Sequence, residues 1–181
     1  TPELGISSLR HIVVAGGSIE EWLRFDAPQW KNRLESLARA GKASGARFIS
    51  MHPYDIDSTE SSSKAQCVDM PEHLIIEGVQ VTTHPHSDGR MRLCSVLGNW
   101  DETQEITELS LDAVLFGEAG EPDLVVVLGP PDRLPRSLMW ELAYSEIVFI
   151  DRSWADLHSA DIEIAIAEFA SRERRFGGVD P

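Results

Sequence analysis

Cysteine is nearly missing from this chain: Cys67 and Cys94 are the only two in 181 residues, and their spacing fits no metal site. Two thiols are too sparse for a disulfide framework, so a reducing, cytoplasmic location is expected. Basic residues are scarce as well. Sixteen Lys and Arg stand against 30 Asp and Glu, a net charge of −14, with no Lys/Arg run of five. Such a chain repels phosphate backbones and anionic lipid, so neither nucleic acid nor a membrane surface is an expected partner. No apolar run approaches the ~18 residues that cross a bilayer, and the N-terminus lacks a charged-then-apolar signal, so no transmembrane or secretory segment is expected. The chain starts at Thr1 rather than Met, which suggests missing N-terminal sequence. There is no G-x-S-x-G, and no Ser or Cys can be given a His/Asp partner from sequence, so nucleophilic catalysis has no positive support. Asp55 and Asp57 superficially resemble a calcium loop, but Glu60 and Gln66 stand where its Gly and Glu belong.

What is present is ordinary globular material, 42% apolar and 25% charged. At this length it can bury about two-thirds of the unfolded surface around one core. His11–Ala15 (HIVVA) closed by Gly16-Gly17 is expected as a buried strand and tight turn. Ser18 and Glu21 have the spacing of a capping box, which predicts a helix start. Trp30, Leu34, Leu37 and Ala38 continue at helical spacing to Gly41 or Gly45, and Arg47–Met51 is expected as a second strand. Residues 54–66 are Ser- and Asp-rich and expected as a flexible loop. Val79, Val81 and Thr83 alternate, and Met91 and Leu93 alternate beyond Ser87-Asp88-Gly89, which predicts two strands in a hairpin. Thr103–Phe116, Ser137–Phe149 and Ala160–Phe169 are expected as helices, and Asp123–Leu128 as a fully buried strand. Together these predict a single α/β domain over residues 1–181, a mainly parallel β-sheet flanked by helices.

Two short constellations invite chemistry. The strand–GGS–helix junction at Gly16–Ser18 could offer backbone N–H groups to a phosphate. Glu20 and Glu21 follow in the first helical turn with no cation before Arg24, so a capped turn is the better reading. His84-Pro85-His86 could give a metal two imidazoles, with His52 or His73 as further ligands, but the spacing matches no standard site and reads as a polar loop.

The C-terminal third is more specific. Asp123-Leu124, Gly129, Arg133, Leu138, Trp140, Tyr144, Glu146, Phe149, Trp154 and Asp156, then Arg174-Arg175-Phe176-Gly177, follow in order and spacing a pattern of the form DL-[IV]-R-T-G-G-E-x-R-x-S, F-L-x-W-Q-x-x-Y-x-E, W-P-D and R-R-F-G. This resembles the cis-prenyltransferase family, the undecaprenyl and dehydrodolichyl diphosphate synthases. Weaker echoes lie at His11–Trp22 against H-x-A-x-I-M-D-G-N-G-R-W, at Gly45–Tyr54, and at Trp100–Ile106 against Y-G-G-R-x-E-I. The resemblance implies a dimer that adds isopentenyl diphosphate to an allylic diphosphate with magnesium. It further implies a tunnel between the sheet and two helices for the growing chain, and an R-x-G tail that reaches the partner's diphosphate.

Against that pattern the motif's metal-binding Asp falls on Gly17, its Arg on Glu21, the next Arg on Val127, the Ser on Pro135 and the Arg of Y-G-G-R on Thr103; Pro130-Pro131 removes two backbone donors. The stretch that would carry the tunnel helices is shortened to the Ser-rich loop, which leaves no obvious compartment for a growing chain. The resemblance is therefore to the family's noncatalytic subunits, of the Nogo-B-receptor kind, inactive alone. Such a subunit would pair with a catalytic homologue through Leu138, Trp140, Leu142, Tyr144 and Ile147. It would place Arg175, Phe176 and Gly177 on an isoprenoid diphosphate in the partner's magnesium site. The alternatives are a diverged magnesium-dependent short-chain prenyltransferase using Arg133 and Glu146, with Glu146 as metal ligand, and a module that binds prenyl diphosphates without chemistry.

Overall fold

Three pentapeptides buried at every position, β1 (His11–Ala15), β2 (Phe48–His52) and β5 (Leu124–Leu128), form the centre of the molecule. The computed structural model describes residues 9–54 and 70–172. Strands covered on both faces need not alternate in polarity, which is why these segments read as near-continuous apolar runs. With β3 (His73–Ile76), β4 (Val79–Thr83) and β6 (Glu146–Ile150) they make one sheet in the order β3-β4-β2-β1-β5-β6. All neighbouring pairs are parallel except β3–β4. The expected α/β fold with a mainly parallel sheet is what forms.

The register assigns each side chain to a face. Ile12, Val14, Ile49, Met51, Leu124, Val126 and Val148 point to the face covered by α1 (Ile19–Leu23), α2 (Ala27–Ala43) and α5 (Ser159–Ser171) and join the larger core cluster. The opposite face carries Val13, Ala15, Val125 and Val127 under Tyr54 and Leu138. The caps are those the sequence implies: Ser18 accepts from Glu21 N at 3.1 Å while Glu21 accepts from Ser18 N at 2.8 Å, and Asp26 and Gln29 repeat the arrangement for α2.

Three sequence expectations are corrected. The hairpin lies one element earlier: β3 and β4 turn through Glu77 and Gly78, both at positive φ (50° and 86°), the geometry that two-residue turns between twisted strands require. Met91 and Leu93 lie instead on α3 (Gly89–Gly98), which starts where the Asp88 carboxylate accepts from Arg90 N at 2.8 Å. Residues 137–149 are not a helix; a single 3₁₀ turn at Trp140–Leu142 leads into β6. Ile147-Val148-Phe149 can pair edge-on with β5, and a β-branched, aromatic run prefers that to a helix. The helix expected from Thr103 starts later: α4 spans Glu108–Phe116 behind an N-cap at Thr107. The loop expected over residues 54–66 falls almost wholly outside the described residues.

Candidate functional site

In an open parallel sheet, ligands bind beyond the carboxyl ends of the strands where the strand order reverses. Here that point lies between β1 and β5, so the crevice is framed by Gly16-Gly17 and by the loop from Gly129 to Arg133. It is closely filled. A Cβ on Gly17, which sits at φ +73°, would lie 2.6 Å from Trp154 Cγ. A Cβ on Gly16 would lie 2.4 Å from Leu128 Cδ1. Trp154 is locked from behind by Trp22, Trp30 and Phe25, with ring centroids 5.6–5.9 Å away. The Arg33 guanidinium stacks 4.5 Å from the Trp154 ring and donates to its carbonyl. Burial pushes Arg33 down to about 10, still charged at neutral pH. From the other side Tyr54 bridges the crevice: its N–H donates to Gly17 O at 2.7 Å, its ring lies against Gly129, and its hydroxyl donates to Arg133 O at 2.9 Å.

Arg133 and Glu146 are not brought together in one chain. Glu146 pairs with Leu124 and Ile150 with Leu128. Glu146 therefore stands four rungs, about 13 Å at roughly 3.3 Å per residue, from the strand ends where Gly129 and Arg133 emerge. Its carboxylate lies on the helix-covered face, accepting from Arg172 Nη1 at 3.0 Å. Arg133 is exposed at the crevice mouth. The five interface candidates also separate. Leu138 is buried in this chain's own core, with Leu142 and Ile147 packed beside it. Trp140 and Tyr144 instead line a groove of about 380 Å³ with Ile106, Leu111, Met139 and Ala143. Arg175, Phe176 and Gly177 lie outside the described residues.

Of the histidines weighed as metal ligands and set aside as a polar loop, the structure brings His52, His73 and His84 into one lining that the sequence did not assemble. On the second face of the sheet, His11 (β1), Ser50 and His52 (β2), Thr82 (β4) and His84 just beyond it line a cavity of about 290 Å³, closed by Arg92 of α3, by Glu141 and by the α4 end at Leu115-Phe116. Polar and apolar groups share the walls of this cavity about equally. His11 is fixed by Gly120 O at 2.8 Å and Ser50 Oγ at 2.9 Å. His52 and His84 stack at 4.6 Å. Burial, reinforced by the Arg92 cation, holds His52 well below the usual imidazole range and His84 at about 3. Arg92 and Glu141 form a buried ion pair, and Arg92 also donates to Leu115 O at 2.8 Å. The signal was present in the sequence as polar residues two apart within apolar strands: Ser50/His52 and Thr82/His84. It needed the β2–β4 pairing to become one site.

Magnesium does not fit the described residues. Gly17 offers no oxygen ligand in its side chain and no room for one, Glu146 is spent on Arg172, and no group of three His, Cys, Asp or Glu is placed to hold a metal among the described residues. Nor is any helix among them long and apolar enough to cross a membrane.

Comparison with known proteins places the chain. Over 109 residues, 58% of this chain, it is 34% identical to a ditrans,polycis-undecaprenyl-diphosphate synthase of Lactiplantibacillus plantarum, and over 59 residues, 33% of this chain, 52% identical to isoprenyl transferase 2 of Bradyrhizobium diazoefficiens. The matched stretches span only 38% and 23% of those relatives' lengths. A solved structure, lavandulyl diphosphate synthase from Lavandula x intermedia in complex with dimethylallyl diphosphate, shares the fold with a TM-score of 0.57 at 12% identity, over 94% of this chain and 99% of that one. Residues 75–177, more than half the chain, match the prenyltransferase family described by undecaprenyl diphosphate synthase. The chain belongs to that cis-prenyltransferase family.

Proposed function

We propose that the chain is a noncatalytic partner subunit of a heteromeric cis-prenyltransferase, working in isoprenoid diphosphate chain elongation without a magnesium site of its own. One observation carries this reading: the switch-point crevice is packed by Trp154 behind Gly17 and bridged by Tyr54, where the family motif has a metal-binding carboxylate. Holding two diphosphates requires converging cations and N–H donors. Here Glu20, Glu21 and Pro130-Pro131 surround the crevice, and Arg133 stands as an exposed cation at its mouth. The named relatives are synthases, and what this chain retains of them is weighted toward the C-terminal half.

The docking face differs in detail from the sequence reading. Leu138, Leu142 and Ile147 turn inward, so the proposed contact is the groove of Trp140 and Tyr144, whose lining includes the exposed Ile106 and Met139. Contiguous large apolar side chains at a surface commonly mark protein interfaces. From that contact the tail would present Arg175 as the anion contact, with the Gly177 N–H as second donor, to the partner's diphosphate. The test is reconstitution with the family synthase of the same organism. The isolated chain is expected to release no diphosphate from isopentenyl and allylic substrates, the mixture to form a stable complex with altered turnover, and Arg175→Ala to lose that change while the complex persists. No association, or turnover indifferent to Arg175→Ala, refutes the reading. Diphosphate release by the isolated chain would favour the diverged enzyme instead.

A further inference from the structure

A cavity on the second face of the sheet is walled in a way that neither an isoprenoid chain nor a diphosphate would choose. Its floor is built from Ser50, His52, Thr82 and His84, its side from Gln80, Arg92 and Glu141, and its rim from His73 and Glu118, which are exposed and leave a way in. Val13, Phe48, Ile49, Leu115, Phe116 and Ala119 supply about half of the wall between them. An alkyl chain placed there would strip water from these hydroxyl, imidazole and amide groups and return no hydrogen bonds. A diphosphate fares no better. The imidazoles of His52 and His84 are neutral, because burial and the Arg92 cation disfavour their charged forms. The cavity's one guanidinium, that of Arg92, is already matched by Glu141, so an added anion would meet a carboxylate and no uncommitted cation.

A neutral molecule carrying several hydroxyls meets both conditions. Each hydroxyl donates and accepts, as the imidazoles, the Gln80 amide and the Ser50 and Thr82 hydroxyls also can. The carboxylate and guanidinium of the ion pair offer one acceptor face and one donor face without net charge. The volume of about 290 Å³ equals about ten waters at roughly 30 Å³ each, which leaves room for a monosaccharide. The floor carries one loose part: His52 is stacked on His84, and its Nδ1 is buried with no hydrogen-bond partner among the described residues. Buried polar atoms are rarely left so, and exceptions accumulate at functional positions.

We propose that this cavity is a binding site for a small, uncharged, polyhydroxylated ligand of monosaccharide size. The site is read by a different assay from the partner-subunit reading, although it adjoins both the crevice, where Gly16 N–H donates to His52 O at 3.0 Å, and the groove, where Glu141 follows Trp140. Saturation-transfer NMR on the whole chain with D-glucose, D-ribose and glycerol at millimolar concentrations tests it. At least one sugar is expected to bind, with glycerol weaker. Gln80→Leu, on a half-buried strand position that tolerates an apolar residue, should weaken that sugar about tenfold, the loss of one well-placed hydrogen bond. His52→Leu should weaken it at least as much, and if it fails to fold, Gln80→Leu alone decides. The proposal is overturned if no sugar binds, if binding is indifferent to Gln80→Leu, or if farnesol, pyrophosphate or zinc ion displaces the sugar from the cavity.

Discussion

Replacing Gly17 by alanine tests the closed crevice directly. Gly17 sits at φ +73°, and an added Cβ would lie 2.6 Å from Trp154 Cγ and 2.9 Å from Trp154 Cβ. Left-handed backbone costs a residue with a side chain about 1–2 kcal/mol. Trp154 is 2% exposed and wedged among Trp22, Trp30 and Phe25, so it cannot step aside cheaply, and overpacking of this kind adds about 1–3 kcal/mol. The expected loss is about 2–5 kcal/mol. Gly45→Ala is the control, because Gly45 has φ +91° but nothing within 4 Å of the added Cβ, leaving only the backbone cost of about 1–2 kcal/mol. In urea, at an m-value of about 2 kcal/mol/M, the two midpoints should separate by roughly 0.5–1.5 M. Equal midpoints, or a Gly17→Ala chain as stable as the parent, would refute the claim that Trp154 occupies the carboxylate's place.

Other consequences follow from the same geometry. His52 and His84 are neutral in the folded chain but protonate below about pH 6.5 once unfolded, so the unfolded state binds more protons. Stability should then fall as pH drops from about 6.5 toward the value of about 3 held by His84, by up to ~1.4 kcal/mol per pH unit for each ring. Urea midpoints that stay constant between pH 7.5 and 5 would contradict this. Glu141→Ala strands the buried Arg92 guanidinium and should cost about 3–5 kcal/mol, largely recovered by adding Arg92→Met; a loss under 1 kcal/mol by denaturant titration would mean the pair is solvated. Ser18→Ala removes the cap bond to Glu21 N and should cost about 1 kcal/mol, read as a midpoint shift at unchanged slope.

Local signals strong enough to survive any tertiary context were legible. β1 was placed residue for residue, the Ser18–Glu21 box capped α1, and Asp123–Leu128 anticipated β5 within one residue. Errors arose where two periodicities competed. Leu138 and Leu142 at helical spacing drew residues 137–149 into a helix, while the run from Ile147 to Phe149 was already a strand waiting for β5 as neighbour. Met91 and Leu93 alternate as a strand would, but the Asp88 cap starts a helix there that buries Gly89 and Arg92 instead. In the candidate site, the loss of the carboxylate at Gly17 was visible, but what fills its place was not. Trp154 and Tyr54 reach the crevice from 137 and 37 positions further along the chain, so only the folded backbone brings them together. The histidine cavity was hidden for the same reason. β1 supplies one polar residue and β2 and β4 two each, and it takes the three strands side by side to make a wall.

The central claim is that this chain cannot hold a diphosphate and its magnesium in its own crevice. Calorimetry of the isolated chain with isopentenyl and allylic diphosphates across a magnesium series, with diphosphate release followed in parallel, measures it most directly. The account predicts no saturable heat and no release at any magnesium concentration. A stoichiometric, magnesium-dependent binding isotherm accompanied by product would contradict it.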